Sequence, residues 1–460
     1  MKNLLIVSFI LIGFSSLAQT EEKKFGQVSF DDLKMKSYAK DKEAKAVVLY
    51  DKGKSIFFTS KNGYDIRFTR HRRIKIFDKS DSENAEVAIP FYVDGYGKTE
   101  IVKSIEAYTY NFIDGTLTQK ALDHSNVYEE RINDRWRVKK FVFPDVQDGS
   151  VIEYKYVLET PFHFNLPDCT LQCEIPSVSS EYEVQMIPFY EYVFQVQGVS
   201  KFDYQHSAVS KYKRVWGSVT KVYGRNVGDG VEFQDYIHQY VLKDIPAFKD
   251  EAYISSINDY IIKMDFQLSK FNSPYGAVKE IMSTWPALNE ALLKHEKFGK
   301  YLKKSTRIAK NIIEGQPKLN ELNDLEKAKN IISYVKQNFE WNGDNSKYAT
   351  QSPKDFFKAK IGNAADINLF LVALLNTAGI HAEPLILSTR NHGKIASSYP
   401  FDHYTNYVIA LVQTKTPFLA DASEDLLPYN VLPVKCLNEV GLVVNEEDEP
   451  QWISLKNKLN

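Results

Sequence analysis

Residues 362–380, read as G-N-A-A-D-I-N-L-F-L-V-A-L-L-N-T-A-G-I, constrain the fold more than any other stretch of the chain. Ile367, Phe370, Leu371, Leu374, Leu375 and Ala378 recur at helical spacing, so one face can be buried while Asp366, Asn368 and Asn376 point elsewhere. Asn363 is placed to cap the first turn, and Asp366, three residues on, can answer it as in a capping box. Gly379 suits the left-handed residue that ends a helix. Strands are expected after it at residues 384–388, 406–412 and 418–421.

A capped helix followed by such strands resembles the core of the transglutaminase-like superfamily, a papain-like fold. Its pattern is Gly-x-Cys-x-Asp on the helix, a histidine on the next-but-one strand and an aspartate on the neighbouring strand. Gly362 and Asp366 match the helix pattern, and Asp421, in L-A-D-A-S, matches the aspartate. The cysteine position falls on Ala364, and aligning T-N-Y-V-I-A with the family's F-N-H-V-I-x puts Tyr407 where the histidine belongs. The resemblance therefore implies the fold and argues against the chemistry. A thiolate at a helix N-terminus is stabilised by free backbone N–H groups and the helix dipole, and an adjacent imidazole takes its proton. Alanine offers no nucleophile, a tyrosine of ordinary pKa near ~10 is a poor base at neutral pH, and Asp421 has no imidazole to orient.

At 460 residues, 43% hydrophobic and 25% charged, the chain is expected to form two or three globular domains. With 58 Lys plus Arg against 59 Asp plus Glu, the overall charge points neither to nucleic acid nor to an anionic membrane. Residues 1–18 carry Lys2, an apolar run from Leu4 to Phe14 and the small-x-small site Ser16-Leu17-Ala18, which predict a cleaved secretory signal. Export to the periplasm, outer surface or medium follows as an expectation, with no cysteine after the cleavage site to carry a lipid and no later stretch apolar enough to cross a bilayer. Cys169 and Cys173 would lie about 13 Å apart in a strand rising ~3.3 Å per residue, beyond bridging distance, so free thiols are expected there and at Cys436. The scattered histidines give no metal-ligand spacing, and no cofactor motif is present.

A polar leader is expected over residues 19–45 and strands dominate from 46 to 250, the first two at 46–50 and 66–77 bounded by Gly53 and Gly63. The basic cluster Arg70, His71, Arg72, Arg73 and Lys75 alternates with Ile74 and Ile76, which predicts an outward strand face. The phrases A-V-V-L-Y-D, R-I-K-I-F and F-P-D-V-x-D-G-S-V-I-E-Y-K-Y resemble the uncharacterised β-rich domain that precedes transglutaminase-like domains in many bacterial envelope proteins. The expected fold is α+β: an antiparallel β-sandwich-like domain, a helical connector at 270–316, a transglutaminase-like domain at 317–445 and a tail at 446–460. Members of this two-domain family commonly continue into another domain beyond the position of Cys436.

If a cleft persists beside the replaced triad, Asp366, Arg390, His392, His403 and Asn406 are its candidate lining. His403 stands four residues before Tyr407, on the same side if both lie in one strand. The functional expectation is an exported, non-catalytic binding or scaffold protein whose partner is a protein, peptide or glycan of the cell envelope. The alternative is an active transglutaminase or cysteine-protease-like enzyme acting on envelope peptides, using a cysteine outside the helix.

Overall fold

The computed structural model describes residues 23–457 except 62, 81, 95–96, 134, 168, 218–219, 223–224, 228–229, 250–255, 282–283 and 397–398. The expected signal segment, residues 1–18, lies outside the described residues.

The N-terminal half is built on an eight-stranded sheet in the order Tyr204–Trp216, Val231–Ile245, Ser177–Met186, Ala46–Ser60, Gly63–Ile76, Val151–Thr160, Ile101–Ile113 and Thr116–Ala121. All neighbours are antiparallel except Ala46–Ser60 with Ser177–Met186. Two smaller sheets close one face: Glu86–Tyr92, Trp136–Val142 and Tyr128–Arg131 form one, and Tyr190–Gln197, Lys263–Asn272, Val278–Glu280 and Cys169–Thr170 the other. Val48, Phe57, Ile66, Phe68, Phe141 and Phe266 from all three sheets share one core. The run A-V-V-L-Y is apolar throughout because both faces are covered: Val48 joins that core, while Val47 and Leu49 pack with Leu33 and Tyr38 of the N-terminal segment.

Several expectations change here. Gly53 lies within a fifteen-residue strand rather than at its end, and glycine suits the position because a Cβ there would meet the rings of Phe68 and Tyr182 at 3.0 Å. The leader is part of the domain: it carries the helix Phe30–Lys34, capped by Ser29, and covers the sheet's second face. The basic cluster does not simply face outward. Arg73 and Lys75 are each 1% exposed. Arg73 donates to Glu153, Asp32 and the carbonyls of Lys24 and Gln27, and Lys75 donates to the carbonyls of Leu33 and Gly149. These cations hold the leader down, because a buried charge needs a full set of partners.

The C-terminal half sets a five-stranded antiparallel sheet, ordered Phe418–Ala420, Tyr407–Val412, Ala382–Leu387, Val440–Val443 and Trp452–Ser454, against the helix Ala364–Thr377. Helices Gly299–Glu314, Asp324–Asn338 and Pro353–Ala359 pack on the helix from its other sides. The connector begins later than expected, since strands run to Glu280 and the first helix is Trp285–Lys294. Its buried residues share one core with the central helix. The expected tail supplies the edge strand Trp452–Ser454, and the loop before the central helix contains Pro353–Ala359. The central helix itself is buried on every side over residues 364–375, so Asp366 and Asn368 are interior groups rather than a polar face.

Among the described residues no helix is long and apolar enough to cross a membrane.

Candidate functional site

The start of the central helix is built by local chemistry. Asn363 accepts from the Asp366 N–H at 2.8 Å and Asp366 accepts from the Asn363 N–H at 3.1 Å, the reciprocal capping box. The Asp366 carboxylate also accepts from the Thr350 hydroxyl at 2.7 Å and from the N–H groups of Thr350 and Gln351. Burial pushes its pKa up against these bonds, which favour the charged form. All its acceptors serve the fold, so Asp366 lines no cleft. Gly379 follows the helix at φ +82°, as the sequence predicts.

Ala364 is the first helical residue and is fully buried. Its N–H donates to the Asp344 carbonyl at 3.2 Å. Its methyl group joins an apolar cluster with Leu385, Leu387, Tyr407, Leu432 and Cys436. Tyr407, at the start of its strand, donates from Oη to Asp421 Oδ2 at 3.0 Å and shares a 2.7 Å hydrogen bond with Ser423 Oγ. The three positions singled out from the sequence are thus joined in one buried cluster, with Asp421 directly after the strand Phe418–Ala420 that pairs with Tyr407–Val412.

Three further groups complete the arrangement. Asn368, one helical turn from Ala364, donates to Asp421 Oδ1 and to the Val408 carbonyl, both at 3.0 Å, and accepts from the Ala422 N–H. Asn368 could have been flagged in the sequence, since an asparagine four residues after Ala364 shares its face. The Cys436 thiol lies 3.7 Å from Asp421 Oδ2. Lys435 Nζ lies 3.3 Å from the Trp341 ring centre and 5.2 Å from that of Tyr407, and pairs with Glu424 at 3.0 Å. No spacing signal could have brought Lys435 or Cys436 here, because the turn Val434–Cys436 reaches the site only through the sheet's topology, whereas Ser423 follows Asp421 by two residues and its N–H donates to Asp421 Oδ1.

Chemically this is a closed hydrogen-bond network. Burial, with the Asp421 carboxylate adding to it, pushes the Tyr407 phenol well above its ordinary value. The same two causes, burial first, push the Cys436 thiol up, so at neutral pH both groups keep their protons.

The other candidate lining residues do not converge on this cluster. Asn406 exchanges hydrogen bonds with Thr389 at 2.8 and 2.9 Å. Arg390 is exposed, with its backbone N–H on the Lys435 carbonyl. His403 is not in the Tyr407 strand: it sits in the turn Asp402–Tyr404, two residues before that strand begins. His392 and His403 instead line a polar cavity of about 170 Å³ between the two halves, together with Lys263 and Asp265. The halves are tied around it by Tyr404 Oη donating to Asp265 at 3.1 Å, Gln267 Nε2 to the Pro400 carbonyl at 2.8 Å and the Asp402 N–H to Gln267 at 2.7 Å. Among the described residues no cluster of His, Cys, Asp and Glu has the geometry to hold a metal ion.

The fold and the helix-strand-strand site define a class, and comparison with known families agrees with it. Residues 308–415 match the model of the Transglutaminase-like superfamily, a match that spans Ala364 and Tyr407 and ends before Asp421. Residues 64–223 match a domain of unknown function, DUF3857. Among 21 matching chains of solved structures is a "putative protease" from Parabacteroides distasonis ATCC 8503, 14% identical, with a TM-score of 0.56 over 85% of this chain and 72% of that one. At that identity the likeness shows a shared fold. No curated protein sequence matches the chain.

Proposed function

We propose that this transglutaminase-like protein is a non-catalytic binding or scaffold protein, exported to the cell envelope, whose partner is an envelope protein, peptide or glycan. The observation that carries the reading is the Tyr407–Asp421 hydrogen bond at 3.0 Å, sealed in a core with the Ala364 methyl. Acyl transfer through a thiolate needs an exposed sulfur, a base within hydrogen-bond reach and donors for an oxyanion. Here the helix starts on a methyl group, the side chain bonded to Asp421 from the neighbouring strand is a phenol, and the Ala364 N–H is already bonded to Asp344. Export rests on the sequence of residues 1–18.

The test is an assay of purified residues 19–460 for amine incorporation into a glutamine substrate and for peptide cleavage. Neither activity is expected, and either one, lost on Tyr407→Phe, overturns the reading. Capture of a specific component from an envelope extract by the same protein identifies the partner.

One observation favours a second reading, a cysteine-dependent enzyme: the Cys436 thiol does lie beside Asp421. That reading requires Cys436 to react with iodoacetamide in the folded state and any activity to vanish with the label. Burial of the thiol and its raised pKa oppose both.

A further inference from the structure

The cavity between the two halves is separate from the Ala364–Tyr407–Asp421 cluster and draws its walls from both families of elements. Strand Lys263–Asn272 contributes Lys263 and Asp265, residues 392–394 contribute His392 and Lys394, and the turn Asp402–Tyr404 contributes His403 and Tyr404. His403 is the unusual member. Its side chain is 27% exposed, yet both ring nitrogens are buried without a hydrogen-bond partner in the protein, and Asp265 Oδ1 stays 3.8 Å from Nε2. A buried donor and acceptor left without partners are costly.

We propose that this cavity binds a small oxyanion, a carboxylate or a phosphate, held between His392 and His403 and taken up together with protons on those rings.

The charges around the two rings support an anion over a cation or a neutral ligand. Burial, the approach of His403, Lys347 and Lys263, partly offset by Asp265, hold the His392 ring down to about 4. Burial with Lys263 and Lys347, opposed by Asp265 and Asp402, does the same for His403. Both rings are therefore neutral at pH 7, with the ammonium groups of Lys263 and Lys347 acting against a proton on either. The carboxylates nearby are already committed. Asp265 pairs with Lys263 at 3.1 Å and accepts from Tyr404, Asp402 pairs with Lys347 at 3.0 Å, and Asp259 accepts from the Lys394 N–H at 2.5 Å. His392 uses Nδ1 on Ser388 Oγ at 3.0 Å. An oxyanion between the rings accepts from His403, sets a negative charge against the burial and the ammonium groups that hold both rings neutral, and by linkage raises their pKa values.

The experiment is a histidine NMR titration of the full chain, residues 19–460, with ring-labelled histidine, in the presence of acetate in one arm and inorganic phosphate in the other. His392→Gln and His403→Gln assign the two signals. The expected result is saturable binding that moves both midpoints upward by about one unit or more and tightens about threefold or more from pH 7 to pH 5. Response to acetate alone identifies a carboxylate ligand, and response to phosphate alone a phosphate. Midpoints of the wild-type chain that stay in place with both anions at saturating concentration overturn the proposal, whether or not the variants fold. The result is independent of the Tyr407 assay, since it reads a different cavity.

Discussion

Tyr407 commits its hydroxyl to two partners, and that explains why a phenol persists in a fully buried position: Asp421 and Ser423 both need it. Tyr407→Phe leaves Asp421 buried with one fewer donor, so a stability loss of about 1–3 kcal/mol is expected in urea unfolding. Ala364 makes the complementary point. Because its side chain is wholly enclosed, the thiol of Ala364→Cys is expected to resist iodoacetamide in the folded chain and to react once denatured. Rapid labelling of the folded variant would mean that the start of the helix opens to solvent. At this scale the sequence identified which side chains stand at positions 364, 407 and 421. It did not show that Asn368 donates to Asp421 or that Tyr407 bonds Ser423, because those contacts join residues 53 and 16 positions apart in the chain.

The central helix shows how local signals and packing divide the work at the scale of an element. Its two ends were legible because capping is chemistry within four residues: the Asn363–Asp366 box and Gly379 both occur where their side chains predict. Asn363→Ala removes the cap and the side-chain bond to the Tyr348 carbonyl, so a loss of about 1–2 kcal/mol is expected in thermal or urea unfolding. Gly362 is needed for a tertiary reason. A Cβ there would meet the Phe356 ring at 2.8 Å and the Asp366 Cβ at 2.7 Å, and Gly362→Ala is expected to cost about 1–3 kcal/mol by displacing that ring. Burial of the helix on all sides was less legible, since a polar residue in an apolar run looks solvent-facing until its interior partner is known. The same limit hid the edge strand Trp452–Ser454, three residues whose identity as a strand rests on pairing with Val440–Val443.

For the whole molecule, two sets of buried charges decide how segments are held together. Arg73 and Glu153 fasten the leader across the large sheet. Arg73→Met is expected to free residues 23–35 for limited proteolysis while the sheet stays folded, a change readable by mass spectrometry of early fragments. At the junction of the halves, His392 and His403 titrate near 4 in the folded chain, against an ordinary value of 6.5. A depressed histidine pKa means that the unfolded chain takes up protons that the folded chain refuses. Their contribution to stability is therefore complete above pH 6.5, falls as pH drops towards 4 and is level below it. The double variant His392→Gln, His403→Gln is expected to flatten that part of the stability–pH profile relative to wild type, by an amount on the order of a few kcal/mol in urea midpoints between pH 7 and pH 4. The sequence by itself determined the α+β division, the capped helix and the alternating strands, because each is carried by spacing within a single segment. Only the tertiary structure decided that the basic cluster turns inward, that Cys436 comes to rest beside Asp421, and that His392 and His403 meet across a cavity between the halves. Those outcomes depend on which distant segments close on one another, and burial then sets the charge each group can keep.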